Sequence, residues 1–144
     1  VIKKKWKEFL IIHQNKIDNQ MKTIHTPNAP EAIGPYAQAI VVNGFVYCSG
    51  QTPLVPETMQ LVADDIETQT KQALENLRVV LEQAGSGLDK VVKTTVFLKN
   101  FRDFPKMNAV YATVFGNHRP ARSTVEVSRL PVDALVEIEC VAII

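Results

Sequence analysis

The sequence predicts an α+β sandwich, a mixed β-sheet with two helices packed on one face. Three observations carry this expectation. Short β-branched runs alternate apolar and polar residues, as half-buried strands do. Two longer segments carry apolar residues at helical spacing. The elements follow in the order strand, hairpin, helix, strand, helix, strand, strand. At 144 residues and 46% hydrophobic, the chain can bury one core. It carries neither an internal repeat nor a second domain.

Residues 22–26 read as a short strand, after which Pro27, Pro30 and Pro35 break any regular element. Runs 37–42 and 45–50 form a hairpin, because Asn43-Gly44 between them favours the positive φ angles of a type I′ turn. Pro53 and Pro56 mark a loop. Asp64 or Asp65 caps a helix running to Ala84, with Ile66, Ala73, Leu74, Leu77, Val80, Leu81 and Ala84 on one side. Gly85 supplies the left-handed stop. Run 91–98 (VVKTTVFL) is β-branched and reads as a strand. Asn100 or Asp103 opens a second helix, with Phe104, Met107, Val110, Tyr111 and Val114 near one side and Gly116 at its end. Runs 122–128 and 135–143 are the last two strands.

Parity assigns the faces of these strands. Val136, Ile138, Cys140 and Ala142 share one side, and Leu135, Glu137, Glu139, Val141 and Ile143 the other. In the preceding strand Ser123, Val125 and Val127 oppose Arg122, Thr124, Glu126 and Ser128. The apolar sets are expected beneath the helices. The second face then mixes charge with some of Phe45, Tyr47, Thr95 and Phe97. Two helices cover only one side, and so much uncovered apolar area points to burial against other copies of the chain. Arg122, Glu126, Glu137 and Glu139 would then lie at or beside a subunit boundary. Solvated ion pairs on the surface are the other reading of those charges.

Charge and composition exclude several classes. Residues 1–20 hold five Lys and two acids, and residues 21–144 hold 11 basic and 13 acidic residues, a net of −2. The globular part has no basic excess for a phosphate backbone, which disfavours nucleic acid as a partner. No apolar run approaches the roughly 20 residues of a membrane span. His13, His25 and His118 share no ligand spacing, so no metal is expected. Cys48 and Cys140 sit in apolar runs and read as buried free thiols in a reducing compartment such as the cytoplasm. Residues 1–20 form a basic segment whose Trp6, Phe9, Leu10 and Ile17 fit one helical stripe. They are expected to be an N-terminal extension, or a mis-assigned start, outside a domain spanning 21–144.

Several motifs together carry a resemblance. They are Ile33-Gly34-Pro35-Tyr36, Ser49-Gly50-Gln51, Val92-Lys93-Thr94-Thr95-Val96-Phe97, Asn108-Ala109-Val110-Tyr111, Pro120-Ala121-Arg122-Ser123-Thr124-Val125-Glu126-Val127, Arg129-Leu130-Pro131 and Val136-Glu137-Ile138-Glu139. In this order and spacing the chain resembles the YjgF/RidA family of reactive-intermediate (enamine/imine) deaminases across 21–144. The resemblance implies a chorismate-mutase-like fold, a cytosolic homotrimer and ligand clefts between subunits. It also implies cofactor-independent hydrolysis of 2-imino acids (2-iminobutanoate, 2-iminopropanoate) to 2-oxo acids and ammonia. Such imines arise from pyridoxal-phosphate enzymes such as threonine or serine dehydratase, which gives a functional link rather than a cofactor.

The chemistry suits those residues. A guanidinium fork grips a carboxylate through two parallel hydrogen bonds, and Arg122 matches the family's substrate-binding arginine. An iminium carbon is already electrophilic, so a carboxylate that orients a water is enough, and Glu137 matches that role. A carboxylate beside Arg122 is expected to stay ionised. Tyr36, Ser49, Gly50 and Asn108 complete the pocket by resemblance. Thr124 stands where a cysteine is frequent, and its hydroxyl can still bond a water or the substrate. Two other functions share these residues: a non-catalytic carboxylate-binding regulator, and a ribonuclease or translation inhibitor.

Overall fold

The computed structural model describes residues 20–144, so the basic stripe of Trp6, Phe9, Leu10 and Ile17 lies outside the described residues. The strands are β1 (Lys22–Ile24), β2 (Ala39–Val42), β3 (Phe45–Gln51), β4 (Leu54–Val55), β5 (Gln60–Leu61), β6 (Val91–Leu98), β7 (Ala121–Glu126) and β8 (Val136–Ile143). The helices are α1 (Ile66–Gln83) and α2 (Phe104–Phe115). Six strands form one sheet in the order β1-β2-β3-β8-β6-β7. Only β6 and β7 run parallel within it, joined through α2, so the sheet is mixed as expected.

Local chemistry explains the boundaries. The Asp65 carboxylate accepts a 2.8 Å bond from the Thr68 N–H and caps α1. Of the two candidates before α2, Asn100 is the one that caps, accepting from the Arg102 N–H at 3.0 Å ahead of a single 3-10 turn. Asn43 and Gly44 both take positive φ, at 52° and 77°, and close the β2–β3 hairpin. β1 stops at Ile24 because the Thr26 N–H turns to the Gln38 side chain. The segment after Pro53, expected to be all loop, contains the small β4–β5 hairpin, with Met59 at φ 55° in its turn.

The core lies between α1, α2 and one side of the sheet. Val136, Ile138, Cys140 and Ala142 are all buried there, as the alternation predicts, together with Val46, Val96, Leu74 and Leu77. Cys48 and Cys140 stand opposite each other across β3 and β8 as free thiols. The other side carries Phe45, Tyr47, Val125 and Ile143, each 40–48% exposed. No helix among the described residues is long and apolar enough to cross a membrane.

The face assigned to β7 is reversed. Arg122 pairs in register with the fully buried Thr94, and its guanidinium lies over rings of α2, so Arg122 and Thr124 face the helices. Ser123 and Val125 face the open side, opposite Thr95 and Phe97. The cause is the pair of rings that α2 presents there, over which the Arg122 guanidinium lies. Arg122 therefore does not join Glu137 and Glu139 in one cluster: β8 presents those two on the open face, opposite Phe97 and Thr95.

Candidate active site in two halves

The end of β3 builds the first cleft. The register between β3 and β8 slips between Cys48 and Gln51, which frees Ser49 and Gly50 from regular pairing. Glu137 fills the space this leaves. A Cβ on Gly50 would overlap the Glu137 Oε1 and stand 2.9 Å from its Cδ, so glycine is what lets the carboxylate lie against the backbone. The Ser49 hydroxyl donates to the Ala37 carbonyl at 2.5 Å, and its N–H to the Gln38 carbonyl at 3.0 Å. The buried Gln38 side chain accepts from the Thr26 N–H at 2.7 Å and donates to the Pro30 carbonyl at 2.9 Å. These bonds fasten the Pro-rich segment over the strand end and present Tyr36, whose hydroxyl accepts from the Ile33 N–H at 3.3 Å. The resulting cavity has a volume of 410 Å³ and joins Tyr36, Ser49, Gly50 and Glu137 to an apolar wall.

Glu137 has neither an ion-pair nor a hydrogen-bond partner among the described residues. Burial, and then the charge of Glu139, push its carboxyl above the usual range. The expected placement of Glu137 beside Arg122 is not met within one chain, and among the described residues no cation stands against the carboxylate.

The second cleft, of 360 Å³, opens between α2 and the edge strand β7, and is lined by Asn108, Tyr111, His118, Arg119 and Arg122 among others. The Arg122 guanidinium carbon lies 4.6 Å from the Tyr111 ring centre and 5.6 Å from that of Phe104. Tyr111 is held by a 2.8 Å bond between its hydroxyl and the buried Thr94 hydroxyl. Burial pushes the Tyr111 phenol up, against the opposing effects of the Thr94 bond and the Arg122 charge. Glu126 is turned away from Arg122 and accepts from the Phe101 N–H at 2.7 Å. Arg122 has no carboxylate partner among the described residues. Ring faces thus hold the guanidinium while its N–H donors stay available to an anion.

The nominated residues therefore divide. Tyr36, Ser49, Gly50 and Glu137 share one cleft, and Asn108 and Arg122 the other. Thr124 lines neither of these clefts, and its enclosed hydroxyl has no partner. Sequence reasoning missed Phe104 and Tyr111 as the support for Arg122, because aromatics at helical spacing read as plain core. It also missed Met59 and Val132, which line the first cleft. No group of three or more His, Cys, Asp or Glu among the described residues is placed to hold a metal ion.

A two-layer α+β sheet with cleft residues at its strand ends is a YjgF-type fold. The crystal structure of a Rid family protein from Yersinia pestis matches it with a TM-score of 0.85 at 53% identity, covering 87% of this chain and 100% of that one. E. coli TdcF, solved with bound serine, matches with a TM-score of 0.82 at 39% identity, covering 85% and 98%. The family model described as Endoribonuclease L-PSP matches residues 26–144. The chain belongs to this family, which is also called RutC or YjgF/RidA. A 2-iminobutanoate/2-iminopropanoate deaminase of Salmonella typhimurium is 48% identical over 125 residues, covering 85% of this chain and 97% of that protein. A RutC family protein of Pyrococcus abyssi is 52% identical over 121 residues, covering 84% and 95%.

Proposed function

We propose that the chain is a hydrolase of reactive 2-imino and enamine acids, releasing 2-oxo acids and ammonia, and that it works as a homotrimer. One observation carries this reading. The cation and the acid that the reaction needs are both left without a partner of opposite charge, and each stands in its own cleft. A neighbouring copy packed on the exposed Phe45, Tyr47, Val125 and Ile143 would bring its Arg122 cleft against the Glu137 cleft of the first. The similarity to a named imine deaminase supports the same reading.

In that composite site Arg122 of one copy grips the substrate carboxylate with two N–H donors, which leaves the adjacent C=N carbon facing Glu137 of the other. Glu137 accepts a proton from a water as the water oxygen attacks that carbon. The imine nitrogen takes up a proton, giving a carbinolamine. Glu137 then takes the hydroxyl proton and passes it to the amino group, so that the C–N bond breaks, ammonia leaves and the carbonyl forms. The raised proton affinity of Glu137 suits a group that must both take and return a proton. Gly50 keeps the carboxylate in place, and Tyr36, Ser49 and Asn108 border the substrate.

The test is release of ammonia and 2-oxobutanoate from imine generated by a pyridoxal-phosphate threonine dehydratase. Release should be faster with the chain than without it. Equal rates would leave a non-catalytic carboxylate binder as the better reading.

A further inference from the structure

The Glu137 cleft is larger than the chemistry at its polar end requires. At about 30 Å³ per water-sized group, its 410 Å³ holds about fourteen, roughly twice the heavy atoms of a four-carbon imino acid. The surplus is apolar, walled by Ile33, Leu54, Met59 and Val132. Two of these walls share an unusual backbone. Met59 and Val132 take φ of 55° and 54°, in the left-handed region that side chains seldom adopt, and Val132 is β-branched, for which this region is least favourable. Only Asn43 and Asp133 join them there among the described non-glycine residues. Asn43 sits in a hairpin turn that asks for positive φ. Asp133 neighbours Val132 and is held by Arg129 at 3.0 and 3.3 Å. Glycine would meet the backbone requirement at both wall positions without strain. A side chain is present at each instead, and both face the same cleft.

We propose that Met59 and Val132 are specificity-determining residues that form an apolar pouch for the substrate's side chain, and that the pouch favours side chains longer than the two carbons of 2-iminobutanoate. The inference rests on the imino-acid reading of the cleft. The Arg129–Asp133 pair buttresses the turn that holds Val132 against the cavity, and the β4–β5 hairpin does the same for Met59. A carboxylate held by a neighbour's Arg122, with the reacting carbon at Glu137, leaves the side chain to point along this wall.

The experiment measures binding of a 2-oxo acid series by titration calorimetry: 2-oxopropanoate, 2-oxobutanoate and 4-methyl-2-oxopentanoate. The wild type should bind the branched six-carbon acid at least about tenfold more tightly than the three-carbon one, since each buried carbon group is worth about tenfold or more. Met59→Gly and Val132→Gly should cut that ratio to about threefold or less and leave 2-oxopropanoate within about twofold. Both variants relieve backbone strain, so their melting temperatures should hold or rise, which separates the loss from misfolding. Equal wild-type affinity across the series, or variants that keep the full ratio, would overturn the proposal. Ammonia release from the matching imino acids, measured alongside, distinguishes the two failures. Chain-length discrimination without turnover sinks the deaminase reading and keeps the pouch. Turnover without discrimination does the opposite.

Discussion

The two sides of the sheet differ in what they need. The covered side is finished within one chain: Val96, Val136, Ile138 and Ala142 have no exposed surface and share one core with residues of α1 and α2. The open side is equally well built but unfinished, with Phe45, Tyr47, Val125 and Ile143 facing outward. The clefts follow the same division. Arg122 belongs to the covered side and is held by rings of α2, whereas Glu137 belongs to the open side and has no counter-charge among the described residues. One side of the sheet secures the fold, and the other is where a second copy would secure the function.

The sharpest way to break this contrast is to separate the two groups. Arg122→Ala and Glu137→Gln should each lower kcat/KM for imine hydrolysis by about a thousandfold, in the range of lost positioning and lost base catalysis. If the halves come from different copies, dissociating and reassembling an equal mixture of the two variants should restore about one quarter of the wild-type rate, because random pairing in a ring recreates that share of intact sites. A mixture as inactive as its parts would place both groups in one chain's site.

Next in size is a matched pair of charges. Val96→Asp buries an unpaired carboxylate on the covered side, where Val96 has no exposure, and should abolish folding as seen by circular dichroism. Val125→Asp lies on the open side at 42% exposure and should leave the helical signal intact. Sedimentation should then find single chains, without hydrolytic activity.

Smaller effects test the local geometry. Gly50→Ala should displace the Glu137 carboxylate and lower kcat about tenfold with little change in melting temperature, because only the end of a flexible side chain must give way. Glu139→Gln should act on the pH profile alone. Glu139 raises the Glu137 pKa, and the base acts when deprotonated, so removing that charge should move the acidic limb to lower pH. A limb that moves upward would contradict the electrostatic account.

Much of this was legible in the residues, for identifiable reasons. Asp65, the apolar face from Ile66 to Leu81 and Gly85 mark α1 because caps, period and a positive φ are local properties. The alternation of β8 named its buried side correctly because that strand is central and long. β7 misled because it is a short edge strand, where one valine and an arginine give no clear pattern. Its orientation is decided by Phe104 and Tyr111, which approach Arg122 only once α2 has packed. For that reason the motifs could nominate candidate residues, while their separation into two clefts had to come from three-dimensional contacts.

The opposed thiols of Cys48 and Cys140 have a practical consequence. They lie beneath the helices, at 7% and 3% exposure, and the hydrogen bond with the Cys48 sulfur, then burial, push the Cys140 thiol up, so neither should react while the fold is closed. Alkylation of these sulfurs is therefore a native stopwatch: its rate in dilute reagent reports how often β3 and β8 part from the helix layer, with no label introduced.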